Sequence, residues 1–349
     1  MAVTKHTWTN IVSALLFLAC VAVASFVPTP FVTWTPGDTY DLLDDSGAKP
    51  VVSITNADTY PVTGQLRMTT VGVTTVDARV NLIQVLVSHL SESQDVLPRE
   101  VVYPPQLDAP TYQAQETAQM NTSQSAAVVA GLRAAKVEVR QLPVVVAVAA
   151  SGPSAGHLQP GDLITTIDGV SVDTVEEIRE VITGHSVGEP VVVSFLRDSV
   201  NSTETITTRA SASQADVPAI GVTFGMGYIY TPRVSYGIDP NVGGPSAGLM
   251  FALTIYDKLT PGDLIAGRVI AGTGTINEQG TVGPIGGIQE KLAAAERDHA
   301  EIFLMPRANC ADLARSSGSR VVAVSTLAEA ISALEALKNP AVTQTAGCG

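Results

Sequence analysis

Hydrophobic and polar positions alternate in several distinct textures along the chain. Residues 11–27, IVSALLFLACVAVASFV, form an uncharged apolar run of 17 residues, at the lower end of the roughly 17 to 25 that a membrane-spanning helix needs. Residues 28–62 mix Pro, Gly and Asp and read as a spacer, residues 64–73 as a strand. Over 76–90, Leu82, Val85 and Leu86 recur at helical spacing. Residues 92–122 are polar and contain Pro, so they read as loop, and 123–135 as a helix of small residues. VVVAVAA at 144–150 is a β-branched run of the kind that fills a buried strand. A helix over 174–183, a strand over 191–197 and a polar linker at 211–216 follow. Beyond it, strands at 220–230, 234–238, 269–275, 301–305 and 321–324 alternate with helices in 243–259, 288–299 and 327–337. That alternation predicts a mixed sheet, and the chain as a whole reads as α+β.

Charge narrows the function classes. The chain has 349 residues, 20 Lys+Arg against 33 Asp+Glu, and a net charge of −13. Such a surface repels polyanions, so no nucleic-acid partner is expected. Five scattered histidines without a HExxH pattern give no metal site, and no cofactor is expected. There is no GxxxxGK[ST] phosphate loop either, so the chain is expected to hydrolyse no ATP. Cys310 and Cys348 are read either as a pair, in an oxidising compartment, or as two free thiols.

At the amino end, Lys5 and His6 precede the apolar run, Asp38, Asp41, Asp44 and Asp45 follow it, and Trp8 and Trp34 flank it. The positive-inside rule then puts the amino terminus in the cytoplasm and the rest outside. Ala22-Val23-Ala24 has the small-x-small form of a cleavable leader, the competing reading to a retained anchor.

Two constellations carry chemistry. The first is Leu158-Gln159-Pro160-Gly161-Asp162-Leu163-Ile164 followed by Ile167-Asp168-Gly169, two tight turns around a strand. The second joins Gly243-Gly244-Pro245-Ser246-Ala247-Gly248, opening an apolar helix, to Pro284-Ile285-Gly286-Gly287-Ile288-Gln289-Glu290-Lys291. Pro245 suits a first helical turn. Ser246 there sits at the positive end of a helix, where backbone N–H groups stabilise an oxyanion. A serine needs a base, and Lys291 is the candidate. It is one of only six lysines and lies among small and apolar residues, and desolvation lowers an ammonium's pKa. Gly152-Pro153-Ser154-Ala155-Gly156 repeats the serine pentapeptide, but no apolar helix follows it, and Ser154 reads as a loop residue.

The first constellation resembles the PDZ domain over residues 138–208. That implies a groove for peptide C-termini, with a carboxylate-binding loop before a strand near 144–148. Residues 234–306 resemble the proteolytic domain of Lon proteases, peptidase family S16, through GGPSAGLMFAL and AGTGTINEQGTVGPIGGIQEKLAAAERDHAEIFLMP. The resemblance implies that Ser246 is the nucleophile, Lys291 the general base and Thr273 a residue that orients the lysine. Backbone at Gly244, Pro245 and Ala247 is then expected to bind the oxyanion. The family carries an acidic residue where this chain has Gly243, and Glu where it has Thr275. Anchor, PDZ module and S16 domain without an ATPase together resemble the membrane-anchored PDZ-containing Lon-like serine proteases of bacteria. The expected organisation is a cytoplasmic stub and anchor over 1–28 and an extracytoplasmic region over 29–137 that includes GQLRMTTVGV, similar to the start of the Lon catalytic domain. A PDZ β-sandwich or barrel over 138–210, an S16 domain over 211–338 and a tail over 339–349 follow. The PDZ module is then inserted in the protease fold or precedes it. The expected activity is ATP-independent endopeptidase cleavage of unfolded or exposed protein segments outside the cytoplasmic membrane, with substrates recruited through the PDZ module. Homo-oligomers are expected by analogy with Lon rings. The rival is a PDZ adaptor with an inactive S16 fold. A trypsin-like protease is set aside, since GNSGG is absent.

Overall fold

A computed structural model describes residues 5–47, 49–104, 108–313, 318–339 and 347–348. The chain forms two compact units, one from residues 1–136 and 232–349, the other from 137–231. Most of the expected tail, over 340–346 and 349, lies outside the described residues.

The larger unit starts with helix α1 (Lys5–Phe26) and continues through β1 (Phe31–Asp41), β2 (Val52–Thr55), β3 (Gln65–Val73), α2 (Leu82–His89), β4 (Asp95–Pro98), α3 (Arg99–Val102) and α4 (Ala109–Ala134). Residues 8–26 are apolar enough to cross a membrane. Two expectations fail here. The spacer holds β1, which lies inside the main sheet between β3 and β4; its register slips between Pro36 and Thr39, which blurred the alternation. The expected loop at 92–122 holds the first half of α4. Asp108 caps that helix through a hydrogen bond from the Thr111 N–H, and Pro110 fits its first turn. The half is polar because, of the helix's buried residues, only Met120 falls there; the rest run from Ser123 onward.

The smaller unit contains β5 (Arg140–Val148), β6 (Leu163–Ile167), β7 (Val170–Ser171), α5 (Val175–Thr183), β8 (Pro190–Arg197), β9 (Val200–Thr207), the short pair β10 (Arg209–Ala210) and β11 (Pro218–Ala219), and β12 (Val222–Ile229). Its antiparallel sheet runs β12-β5-β6-β8-β9, with β7 on β6. Ile164, Ile167, Ile178, Val191, Val193 and Phe195 fill its own core.

The larger unit resumes with β13 (Arg233–Tyr236), α6 (Gly248–Leu259), β14 (Val269–Gly272), the pair β15 (Thr275–Ile276) and β16 (Val282–Gly283), α7 (Ile288–Arg297), β17 (Ile302–Pro306), β18 (Arg320–Val324) and α8 (Leu327–Ala336). Its mixed sheet has the order β18-β17-β14-β3-β1-β4, parallel from β18 to β3 and antiparallel at β1 and β4. Strands at both ends of the chain therefore share one sheet. Ile270, Leu304 and Val322 face a core with α4, α6 and α8. Ala271, Phe303 and Ala323 face a second core with α7. Burial on both faces explains why β17 and β18 read as continuous apolar runs. Cys310 is disulfide-bonded to Cys348, with Cα atoms 5.2 Å apart.

Helices α4 and α6 touch at Gly131. A methyl group there would sit 2.9 Å from both the Ala252 carbonyl oxygen and the Ile255 Cβ. Gly131→Val therefore separates the helices and is expected to cost about 2–3 kcal/mol by overpacking, read as a lower urea midpoint with an unchanged slope.

Candidate active site

The two halves of the second constellation meet on one cavity of about 720 Å³, entirely within the larger unit. Trp34, Val71, Glu116, Met120, Ser246, Ile285 and Lys291 are among its lining residues. Trp34, expected to flank the membrane span, instead lies against the Gly286–Gly287 turn.

Ser246 stands just before α6, whose first helical residue is Gly248 and whose cap is Ala247. Pro245 thus precedes the helix rather than opening it. The Ser246 carbonyl is held twice, by the Gly274 N–H at 2.7 Å and the Thr273 hydroxyl at 3.0 Å. Thr273 follows β14, where its N–H donates to the Leu304 carbonyl at 3.0 Å. Lys291 lies in the second turn of α7, and its Nζ donates to Thr273 Oγ1 at 3.2 Å. The hydroxyl has one proton. That proton goes to the Ser246 carbonyl, so Thr273 serves Lys291 as an acceptor only.

Helix α7 depends on the glycine turn before it. Gly287 caps it at φ +71°, and a methyl group there would lie 2.5 Å from Val71 Cγ2. That turn sinks the first turns of α7: Lys291 is 3% exposed and Glu290 0%. Burial lowers the Lys291 amine to about 7, against a smaller upward pull from the Glu290 carboxylate. Burial also raises Glu290 to about 7, helped by the Asp95 carboxylate.

Backbone donors near Ser246 are unequal. The Gly244 N–H donates to the Glu116 carbonyl at 3.1 Å, and Pro245 has no N–H. Leu249 donates to the Gly274 carbonyl at 3.0 Å.

Glu116 escaped the sequence reading because its segment looked like loop. Its side chain fills the space beside Gly243: a methyl group there would lie 2.7 Å from Glu116 Cβ and 3.4 Å from its Oε2. Where the S16 pattern has an acidic side chain, this chain has none and brings a carboxylate in from α4. Burial raises the Glu116 carboxyl, and Tyr112 beside it is pushed up to about 12 by its own burial first and then by that charge.

Ser154 lies in the smaller unit, 0% exposed, donating to the Ile220 carbonyl at 2.7 Å. A groove of about 790 Å³ in that unit runs between α5 and β12, lined by Ile178, Ile182, Ile220, Gly221, Val222 and Phe224 among others. The loop before β5 was expected to border it. β5 pairs with β12 on one side and β6 on the other, whereas β12 ends the sheet, and a peptide adds only to an unpaired edge. The loop that lines the groove is Ile220–Gly221, between β11 and β12, and not the one before β5.

Residues 123–208 match the family model of the PDZ domain, and residues 211–329 that of the Lon protease (S16) C-terminal proteolytic domain. The first match begins inside α4, which belongs to the larger unit. A Lon protease of Roseiflexus castenholzii is 44% identical over 70 residues, 20% of this chain and 8% of that protein. Lon protease 1 of Herpetosiphon aurantiacus is 32% identical over 124 residues, 30% of this chain and 14% of that protein. A Lon protease of Azorhizobium caulinodans is 36% identical over 104 residues, 25% of this chain and 12% of that protein. The chain thus spans a small part of the length of these relatives.

Lys291 titrates near 7 when folded and 10.5 when unfolded, so the unfolded chain holds more protons between those values. The native state gains stability as pH rises through that window. Lys291→Met is expected to stabilise the protein most at and below pH 7, with the gain vanishing towards 10.5; paired urea unfolding curves across this range measure it. The chain thus joins a match to the PDZ domain and a match to the Lon-type S16 proteolytic domain, behind an apolar amino-terminal helix and in a mixed α+β architecture.

Proposed function

We propose that the chain is an ATP-independent serine endopeptidase working through a Ser246–Lys291 dyad. The observation that carries this reading is the buried Lys291 amine, hydrogen-bonded to Thr273 on the cavity that Ser246 lines. A lysine with a pKa of about 7 is substantially neutral at physiological pH. Its nitrogen lone pair takes the Ser246 proton as Oγ attacks the scissile carbonyl, and the resulting ammonium returns the proton to the leaving amine. Thr273 is the positioning residue: it holds one N–H of the amine and fixes the Ser246 main chain at the same time. With the Gly244 N–H engaged and Pro245 lacking one, the Ser246 and Ala247 N–H groups are the donors assigned to the oxyanion.

The proteolytic fold on this reading is discontinuous. Its sheet takes β1, β3 and β4 from before the smaller unit and β14, β17 and β18 from after it, with the PDZ module inserted between. The helix α1 anchors the chain in the cytoplasmic membrane, and both units lie on the extracytoplasmic side. Unfolded or exposed protein segments are the substrates on this reading. The PDZ groove takes their C-termini as a strand on β12.

Incubating the full chain in detergent with an unfolded protein, without ATP, and mapping fragments by mass spectrometry tests the dyad. Ser246→Ala and Lys291→Ala are expected to lower kcat by about 10³-fold or more, as removal of a nucleophile or its base does, and Ser154→Ala to leave cleavage intact. The rate of the unaltered chain is expected to rise with pH through about 7 as Lys291 loses its proton. Cleavage that survives Ser246→Ala overturns the reading.

A further inference from the structure

Helix α2 wears its apolar stripe on the outside. Leu82, Ile83, Leu86, Val87 and Leu90 are 44%, 39%, 51%, 61% and 82% exposed, while Ser88 is its buried residue. A surface helix of a water-soluble domain has the opposite polarity. The helix is firmly started: the Asn81 side chain accepts from the Gln84 N–H at 2.9 Å, and the Gln84 side chain accepts from the Asn81 N–H at 3.0 Å.

The stripe also sits at a defined place. The Thr29 N–H and hydroxyl both donate to the Val80 carbonyl, at 2.8 and 2.7 Å, and Pro28 forms a bridge with Asn81. The first turn of α2 is thereby clamped to the chain immediately beyond α1, and the two helices touch. Phe26 and Val27, 84% and 51% exposed, extend the apolar surface of α1 towards it. Helix α2 packs on β4 and β1, at the sheet edge opposite β18 and α8.

We infer that α2 is an interfacial helix: its outward stripe lies in the headgroup–acyl boundary of the bilayer that α1 spans. Such helices bury their apolar face by about 5–10 Å. The inference rests on the anchor reading above, because it is continuity with a spanning helix that selects lipid over other occupants. A lone span leaves a domain free to turn about the membrane normal. A second contact beside it fixes which way the larger unit, and the Ser246 cavity within it, faces.

The test uses the full chain with Cys20→Ser and one environment-sensitive fluorophore on Leu16→Cys, Leu86→Cys, Leu90→Cys or Ser332→Cys, Ser332 lying on α8 at the far edge. Each is reconstituted into phosphatidylethanolamine–phosphatidylglycerol vesicles with and without brominated acyl chains. Labels at 86 and 90 are expected to shift to the blue and lose emission to the bromines, at shallower depth than the label at 16, while the label at 332 does neither. Labels at 86 and 90 that behave like 332 while 16 is quenched overturn the inference and leave the anchor standing. A blue shift without bromine quenching means that α2 packs on a second copy, and equally overturns it. A label at 16 that bromine does not quench removes the anchor itself, and the inference with it.

Discussion

Everything around the cavity answers to one demand, the burial of an amine. Lys291 is 3% exposed, and a charged ammonium there pays a heavy desolvation penalty. The fold meets the demand by favouring the neutral amine and giving it one hydrogen-bond acceptor. That acceptor, Thr273, is fixed by β14 and β17 pairing in parallel, which places Leu304 opposite Gly272 and sets the Thr273 N–H on the Leu304 carbonyl. The same hydroxyl bonds the Ser246 carbonyl, so the approach to α6 cannot move independently of Lys291. Glu290, buried beside it, has its own charge suppressed by its surroundings. Two adjacent titratable groups both held near 7 make this end of α7 sensitive to small changes in packing.

The second constraint is topological. Residues 65–68 pair with residues 269–272, across the whole of the smaller unit. Closing so long a loop costs entropy that rises only slowly with its length, but such non-local pairing slows folding. The smaller unit has a core of its own, so it shortens the effective loop once it has folded.

How much of this was legible in the sequence differs by element. Strands β14, β17 and β18 and helices α5 to α8 could be read because burial on two faces, or amphipathic spacing, writes directly into residue type; the short pair β15 and β16 was not distinguished. The serine and lysine stretches were legible because small residues and glycines bracket them, and the structure brings Ser246, Thr273 and Lys291 onto one hydrogen-bonded path. Four other things were not. Strand β1 is interrupted by Pro36 and Gly37, so its alternation breaks. The first half of α4 buries little but Met120, and a helix with no apolar stripe gives no period to find. The Asp108 cap with Pro110 behind it was the signal that could have found it. The loop bordering the groove was assigned to the segment before β5 because an edge is a property of the assembled sheet, and no strand carries a mark of which side remains unpaired. Glu116 was lost with α4, although a glycine in place of an acidic residue at 243 hinted that something else filled the space.

The bond between Cys310 and Cys348 closes a covalent ring across a sequence separation of 38 residues, and inside that ring lie β18 and α8. β18 is the terminal strand of the main sheet, the kind of edge that exchanges between molecules or recruits a foreign strand. A ring of this size removes roughly 4 kcal/mol of unfolded-chain entropy in the loop-closure picture. It also keeps the last strand and helix from swinging out to a neighbour. The integrity of one rim of the sheet is thereby linked to the redox poise of its surroundings. In a reducing compartment the same polypeptide would have the same cavity and a looser margin.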